Sequence, residues 1–199
     1  MEHSGEPGRK SGVMSAIAME RPEHDRQLIL ELQRGSREAL GTLMDLHGED
    51  LMRYLFSLTG DRESAEDAFQ DTWVRVMEKA RGFNPWGEFA PWLFRIARNR
   101  AIDLLRRKTS RKARSLEEVS LLPGAPPEHP DFLERDRVRN ALARLPVRHR
   151  EVLAFRFYLD KSYDEISALL RIPMGTVKSR LKRALERMAR AFQEEHIHD

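Results

Sequence analysis

Ile172-Pro-Met-Gly-Thr-Val-Lys-Ser-Arg-Leu-Lys-Arg-Ala184 decides the fold. At helical spacing its polar residues Thr176, Lys178, Ser179, Arg180, Lys182 and Arg183 spread around an outer side, while Val177, Leu181 and Ala184 share the inner one. Upstream, Ser162-Tyr-Asp-Glu165 fits a capping box: the Ser162 hydroxyl caps a helix start and Glu165 reaches back to it. That helix runs through Leu170. Arg171 and Ile172 leave room only for a tight turn, and Pro173 suits the first position of the next helix, where its missing N–H has no partner to lose. Two short helices joined in this way form a helix-turn-helix, a unit that reads DNA.

Composition sets the limits around this unit. The chain has 199 residues, 40% hydrophobic and 34% charged, enough for compact helical cores. It contains no cysteine, so disulfides and thiolate metal sites are excluded, and any redox sensing belongs to a partner. No apolar run approaches the roughly 20 residues of a membrane span, and Met1 to Lys10 lacks the apolar stretch of a secretory signal. Membrane insertion is therefore not expected, and the cytoplasm is the expected location. His196 and His198 lie near a polar terminus without a third ligand, so no metal or cofactor is expected. No nucleophile motif, phosphate-cradling glycine loop or paired-carboxylate pattern gives catalysis a foothold.

Net charge is only +3, but its distribution is uneven. Between Asp61 and Glu78 six acids face Arg62 and Arg75 alone. From Arg95 to Arg114 only Asp103 opposes Arg95, Arg98, Arg100, Arg106, Arg107, Lys108, Arg111, Lys112 and Arg114. One helix is suited to a basic or neutral partner and the next to phosphate.

Working back toward the start, residues 1–23 lack apolar periodicity and read as a flexible tail. Leu28, Ile29 and Leu32 begin an amphipathic stripe that Gly35 ends. Ser36 then caps a second helix carrying Leu40, Leu43, Met44, Leu51 and Leu55, with a possible bend at His47-Gly48. Gly60-Asp61 stops it and caps a third, whose expected buried stripe is Ala65, Ala68, Phe69, Thr72, Val76 and Met77. Asp67, Gln70, Asp71 and Arg75 fall off that stripe. A loop over 81–88 precedes a fourth helix marked by Phe89, Leu93, Ile96, Ala97, Ala101 and Leu104. The Pro-rich stretch over 113–131 cannot sustain a helix and reads as a linker. Beyond it, 132–195 holds Leu142 and Leu145 before Pro146, then Val152, Leu153, Phe155 and Phe157, then the helix-turn-helix. The expected fold is all-α: two small helical domains, 24–112 and 132–195, joined by a flexible linker.

Two separated blocks carry a resemblance. Ala65-Glu-Asp-Ala-Phe-Gln-Asp-Thr-Trp73 followed by Phe89-Ala-Pro-Trp-Leu-Phe-Arg-Ile-Ala-Arg-Asn-Arg-Ala-Ile-Asp103 resembles sigma region 2. Ala141-Leu-Ala-Arg-Leu-Pro146, Arg150-Glu-Val-Leu153 and Gly175-Thr-Val-Lys-Ser-Arg-Leu-Lys-Arg-Ala184 resemble region 4. Over roughly residues 24 to 193 the chain is similar to the extracytoplasmic-function (ECF) sigma factors of the sigma-70 family. Trp73, the pair Ala68-Phe69 and Pro85-Trp86 depart from the usual family pattern.

The resemblance implies a non-enzymatic subunit that binds core RNA polymerase, selects promoter DNA and helps open it. It places polymerase docking on Asp67, Gln70 and Asp71, with Arg75 beside them. It places capture of the melted minus-ten strand on the 81–88 loop, with Asn84 and Trp86, and on Arg95, Arg98, Asn99 and Arg106. Duplex reading of the minus-thirty-five element falls to Thr176, Lys178, Ser179, Arg180, Lys182 and Arg183. About twenty linker residues at roughly 3.3 Å each reach about 65 Å, nearly two duplex turns of about 35 Å. Control by an anti-sigma factor is a further family-level expectation. Two other classes fit parts of the sequence: a stand-alone helix-turn-helix regulator, and a sigma mimic that sequesters a partner. For the basic stretch and the acidic face, solvated helix surfaces are the bland alternative; Trp92 reads as core, and Trp86 as either loop packing or a stacking platform.

Overall fold

The computed structural model describes residues 10–115, 138 and 140–196. Four helices form the first half: α1 Lys10–Gln33, α2 Arg37–Thr59, α3 Arg62–Lys79 and α4 Phe89–Ser115. The second half has α5 Val147–Leu153, a π-turn Ala154–Tyr158, α6 Tyr163–Leu170 and α7 Met174–His196. No strand occurs among the described residues. The expected linker falls outside them from residue 116 onward.

Helix ends follow local chemistry. Gly35 takes φ 98° between α1 and α2, a left-handed conformation that costs an L side chain energy. Ser36 then accepts the Ala39 N–H at 3.2 Å and opens α2. At the other end Gly60, at φ 80°, donates its N–H to Phe56 O at 2.9 Å. Asp61 accepts the Ser64 N–H at 2.8 Å to start α3, and α2 runs through His47-Gly48 without interruption. The first helix reaches back to Lys10, into the stretch expected as a tail.

Leu28, Ile29, Leu43, Leu51, Leu55, Ala65, Ala68, Val76, Leu93 and Ala97 form the core of the first half. Two positions correct the expected stripes. Met77 is 52% exposed while Trp73 is buried, because at about 100° per residue position 77 has rotated roughly 120° from Ala65. Phe157 is also exposed, while Phe155 is fully buried. The π-turn, closed by the Leu159 N–H to Ala154 O at 3.1 Å, adds a residue to the turn and shifts the helical register.

The two halves pack together, a relationship that periodicity could not reveal. Tyr54 from α2 stacks on Phe155 from the π-turn with centroids 4.9 Å apart. Phe94 from α4 meets Tyr54 edge-on at 5.1 Å and Phe155 at 5.2 Å. Such aromatic pairs contribute about 0.5–1.5 kcal/mol each beyond area burial. Around this triad Arg150 donates Nη1 to Leu58 O, and Lys161 Nζ lies 3.4 Å from Asp50 Oδ2.

Candidate functional site

Ser162 accepts the Glu165 N–H at 3.2 Å while the Glu165 carboxylate accepts the Ser162 N–H at 2.7 Å, so the capping box is complete. Burial would raise the Glu165 carboxyl, but these bonds and Lys161 bring it below the ordinary range. Arg171 turns the chain at φ 51°. Pro173 lies just before α7, which starts at Met174, and its carbonyl accepts the N–H groups of Thr176 and Val177 at 2.8 and 3.1 Å. Val177, Leu181 and Ala184 are buried. Lys178, Ser179, Lys182 and Arg183 are exposed on the opposite side, and Thr176 is half-buried. Arg180 is half-buried and turns toward the other half of the protein.

The 81–88 loop is built on aromatic packing. Phe83 lies against Trp92 at 4.6 Å and Phe89 at 6.3 Å between centroids. Trp92 is buried, the core role expected of it. Trp86 is instead 79% exposed at the loop tip, with its backbone N–H donated to Asn84 Oδ1 at 3.1 Å. Gly87 closes the turn through its N–H to Asn84 O at 2.8 Å; a Cβ there would stand 3.1 Å from that same oxygen. On α4, Arg95, Asn99 and Arg106 are exposed.

Arg98 departs from the expected open surface. Its Nε donates to Glu151 Oε1 at 2.5 Å, across the seam, and Tyr54 donates its hydroxyl to the same oxygen at 3.1 Å. Burial raises the Glu151 carboxyl, with Arg98 and Tyr54 opposing; burial also raises the Tyr54 hydroxyl, reinforced by Glu151. A cavity of about 290 Å³ beside this cluster is lined by Arg95, Arg98, Arg171 and Arg180 as well as Glu151. Arginines expected at different promoter elements thus line one space. Contacts across the seam are long-range in sequence, so nothing local signals them.

On α3, Asp67, Gln70, Asp71 and Arg75 are all exposed, and Arg75 Nη1 pairs with Glu78 at 2.9 Å. Beside them lies a shallow groove lined by Leu40, Met44, Phe69, Trp73, Val74 and Met77. The apolar strip escapes sequence reasoning because helical spacing puts Met77 on the core stripe and Val74 carries no pattern of its own. Among the described residues no cluster of His, Asp or Glu is suited to a metal, and no helix is long and apolar enough to cross a membrane.

A helix-turn-helix with an exposed basic face, coupled to a second helical half with its own cationic and acidic faces, defines a bipartite nucleic-acid-binding protein. The family model for Sigma-70 region 2 matches residues 43–111, and that for Sigma-70, region 4, matches residues 135–188. The ECF RNA polymerase sigma factor SigL of Mycobacterium tuberculosis is 36% identical over 155 residues, covering 76% of this chain and 88% of the relative. The ECF RNA polymerase sigma factor RpoE of Cereibacter sphaeroides is 36% identical over 129 residues, covering 62% of this chain and 70% of that protein. Among solved structures, CnrH in complex with the cytosolic domain of CnrY matches with TM-score 0.64 and 26% identity, over 86% of this chain and 98% of that one. The sigma factor RpoE of Bartonella quintana, solved with the anti-sigma factor NepR, matches with TM-score 0.57 and 26% identity, over 77% and 96% of the two chains. The chain belongs to the ECF RNA polymerase sigma factors of the sigma-70 family. It is a transcription initiation factor that binds core RNA polymerase, directs it to specific promoters and assists their opening.

Proposed function

We propose that the two halves divide promoter work residue by residue. Residues 24–112 dock on core polymerase through Asp67, Gln70, Asp71 and Arg75, with the Val74 and Met77 strip as the apolar anchor. The same half captures the melted minus-ten strand through Asn84, Trp86, Arg95, Arg98, Asn99 and Arg106. Residues 132–195 read the minus-thirty-five duplex through Thr176, Lys178, Ser179, Arg180, Lys182 and Arg183. The observation that carries this division is the contrast between two readers on one chain. The α7 face is cationic and built for a duplex groove, whereas the loop tip offers an exposed Trp86 to a base that has left the stack.

The chain works without catalytic chemistry of its own and acts in the cytoplasm, where core polymerase and promoters meet. An anti-sigma factor controls it, a reading supported by the complexes of its structural relatives CnrH with CnrY and RpoE with NepR, and it acts by clamping the two halves and masking the polymerase-binding surface. The test is transcription in vitro with purified chain, bacterial core polymerase and a library of promoter fragments, including the one upstream of its own gene. Start sites that require both proteins support the proposal. Duplex binding by the chain alone, with no initiation when core is added, would overturn it.

A further inference from the structure

The first helix lies outside the segment matched by the region 2 family model, which begins at residue 43, yet it touches the minus-ten loop at its start and tip and is linked to its far end through His47 of α2. At the start, Gln33 donates Nε2 to Ala80 O at 2.9 Å and to Phe83 O at 2.8 Å. Both protons of one amide thus pin the carbonyls where α3 unwinds into the loop. At the tip, the Arg26 guanidinium lies 4.4 Å from the centroid of the Trp86 ring, and Glu23 holds the same arginine by an ion pair. At the end, His47 Nε2 lies 2.8 Å from Asp25 Oδ1 in a buried pair, and the His47 ring packs edge-on against Phe89, the first residue of α4, at 5.2 Å.

Arg26 and Gln33 stand about two helical turns apart, roughly 10 Å along the axis, so one straight helix splints the tip and root of the loop. With the guanidinium over one face of Trp86 and the ring still 79% exposed, the other face is free for an unpaired base. A cation under a stacking platform fixes the ring and adds positive charge where the phosphate strand must pass.

We propose that Gln33 and Arg26 are positioning residues for single-strand capture: α1 holds the loop in its binding form and holds Trp86 as a ready-made stacking surface. This rests on the assignment of the loop to the minus-ten strand. The contacts imply an ordered sandwich of Arg26, Trp86 and base, in which α1 sets the affinity for the melted strand and leaves duplex binding by α7 untouched.

The experiment uses holoenzyme made from core polymerase and the full chain. The probe is an end-labelled single-stranded oligonucleotide carrying the non-template sequence upstream of a start site mapped with the unmodified chain. Trp86→Ala should weaken oligonucleotide binding about tenfold, the scale of one lost base stack. Arg26→Ala should weaken it about threefold, the scale of an exposed cation–π contact, with Arg26→Lys restoring part of the loss. Gln33→Leu should weaken it about fivefold by leaving two carbonyls unpaired. In the free chain, Trp73 and Trp92 are buried, so quencher-accessible tryptophan emission reports Trp86; Arg26→Ala and Gln33→Leu should both increase its accessibility. Unchanged oligonucleotide affinity in both α1 variants, with core binding intact, overturns the proposal. An equal loss of affinity for minus-thirty-five duplex also overturns it, since that marks general damage. Failure of the unmodified chain to initiate anywhere would instead overturn the sigma assignment of the loop.

Discussion

Arg98 of α4 and Glu151 of α5 form an ion pair that joins the two halves, Nε to Oε1 at 2.5 Å, with Glu151 only 1% exposed. A buried carboxylate that loses its cation is strongly penalised, so this pair holds the seam more firmly than an exposed bridge would. Arg98→Glu sets two carboxylates against each other there. The expected outcome is an increase in radius of gyration by small-angle X-ray scattering, with helix content retained. An unchanged radius would mean that the Tyr54, Phe94 and Phe155 cluster holds the halves together without the pair.

The pair also bears on promoter contact. While Arg98 serves Glu151, its charge is compensated although its side chain stays partly exposed, so engagement of the minus-ten strand by Arg98 requires it to leave Glu151. Glu151→Ala combined with Arg98→Ala should show a coupling energy of about 1–2 kcal/mol in a double-mutant cycle of chemical denaturation. A coupling near zero would leave Arg98 free for DNA in the closed form.

His149 gives the second half a defined response to acid. It is buried, and among the described residues its Nδ1 has no hydrogen-bond partner. Burial, then Arg148, Arg187, Arg180 and Arg183, hold the imidazole below its ordinary value of 6.5. The unfolded chain therefore binds a proton at a pH where the folded chain still refuses one. The stability contribution is full above the ordinary imidazole value and is lost as pH falls through it toward the lowered folded value. Denaturation midpoints measured from pH 7.5 down to 5 should fall more steeply for the unmodified chain than for His149→Phe. Parallel curves would remove His149 as the source.

The capping box should be visible in both stability and DNA reading. Ser162→Ala removes the acceptor for the Glu165 N–H, at a cost of about 1 kcal/mol. With the two halves packed into one core, that corresponds to a fall in Tm of about 2–4 °C. Because α6 supports α7, affinity for the minus-thirty-five duplex should fall with it while core binding stays unchanged. A drop in core binding instead would mean that this cap supports the polymerase face.

Caps and stripes were legible in the sequence because their causes lie within a few residues. Ser36, Gly60, Asp61 and Ser162 each act on a backbone group of their own turn, and Val177, Leu181 and Ala184 needed only helical spacing. Met77 and Phe157 fall outside the core where a stripe rotates or a π-turn adds a residue, which a fixed period cannot register. The seam was illegible for a different reason: Tyr54 and Glu151 meet across the intervening linker, and each alone reads as an ordinary core or surface residue. Gln33 and Arg26 were hidden in the same way, as polar residues on a helix face with no local sign that a distant loop needs their donors.

The proposed polymerase face of α3 combines exposed acids, expected from the sequence, with an apolar strip that only packing exposes. Asp67 and Asp71 are exposed, and Asp71 stands 3.8 Å from Arg100, a surface pair worth about 0–1 kcal/mol. Replacing both acids by Arg should therefore leave folding intact while reversing the charge offered to the partner. The expected result is loss of co-elution with core polymerase and a circular dichroism melt within a few degrees of the unmodified chain. Met77→Ala removes the proposed apolar anchor, which is 52% exposed, and should weaken core binding about tenfold, the scale of a moderate interface contact, with little change in Tm. If the charge reversal abolishes binding and Met77→Ala does nothing, the acids dock polymerase without the groove. Normal co-elution of the charge-reversed chain would move the docking surface off α3 altogether.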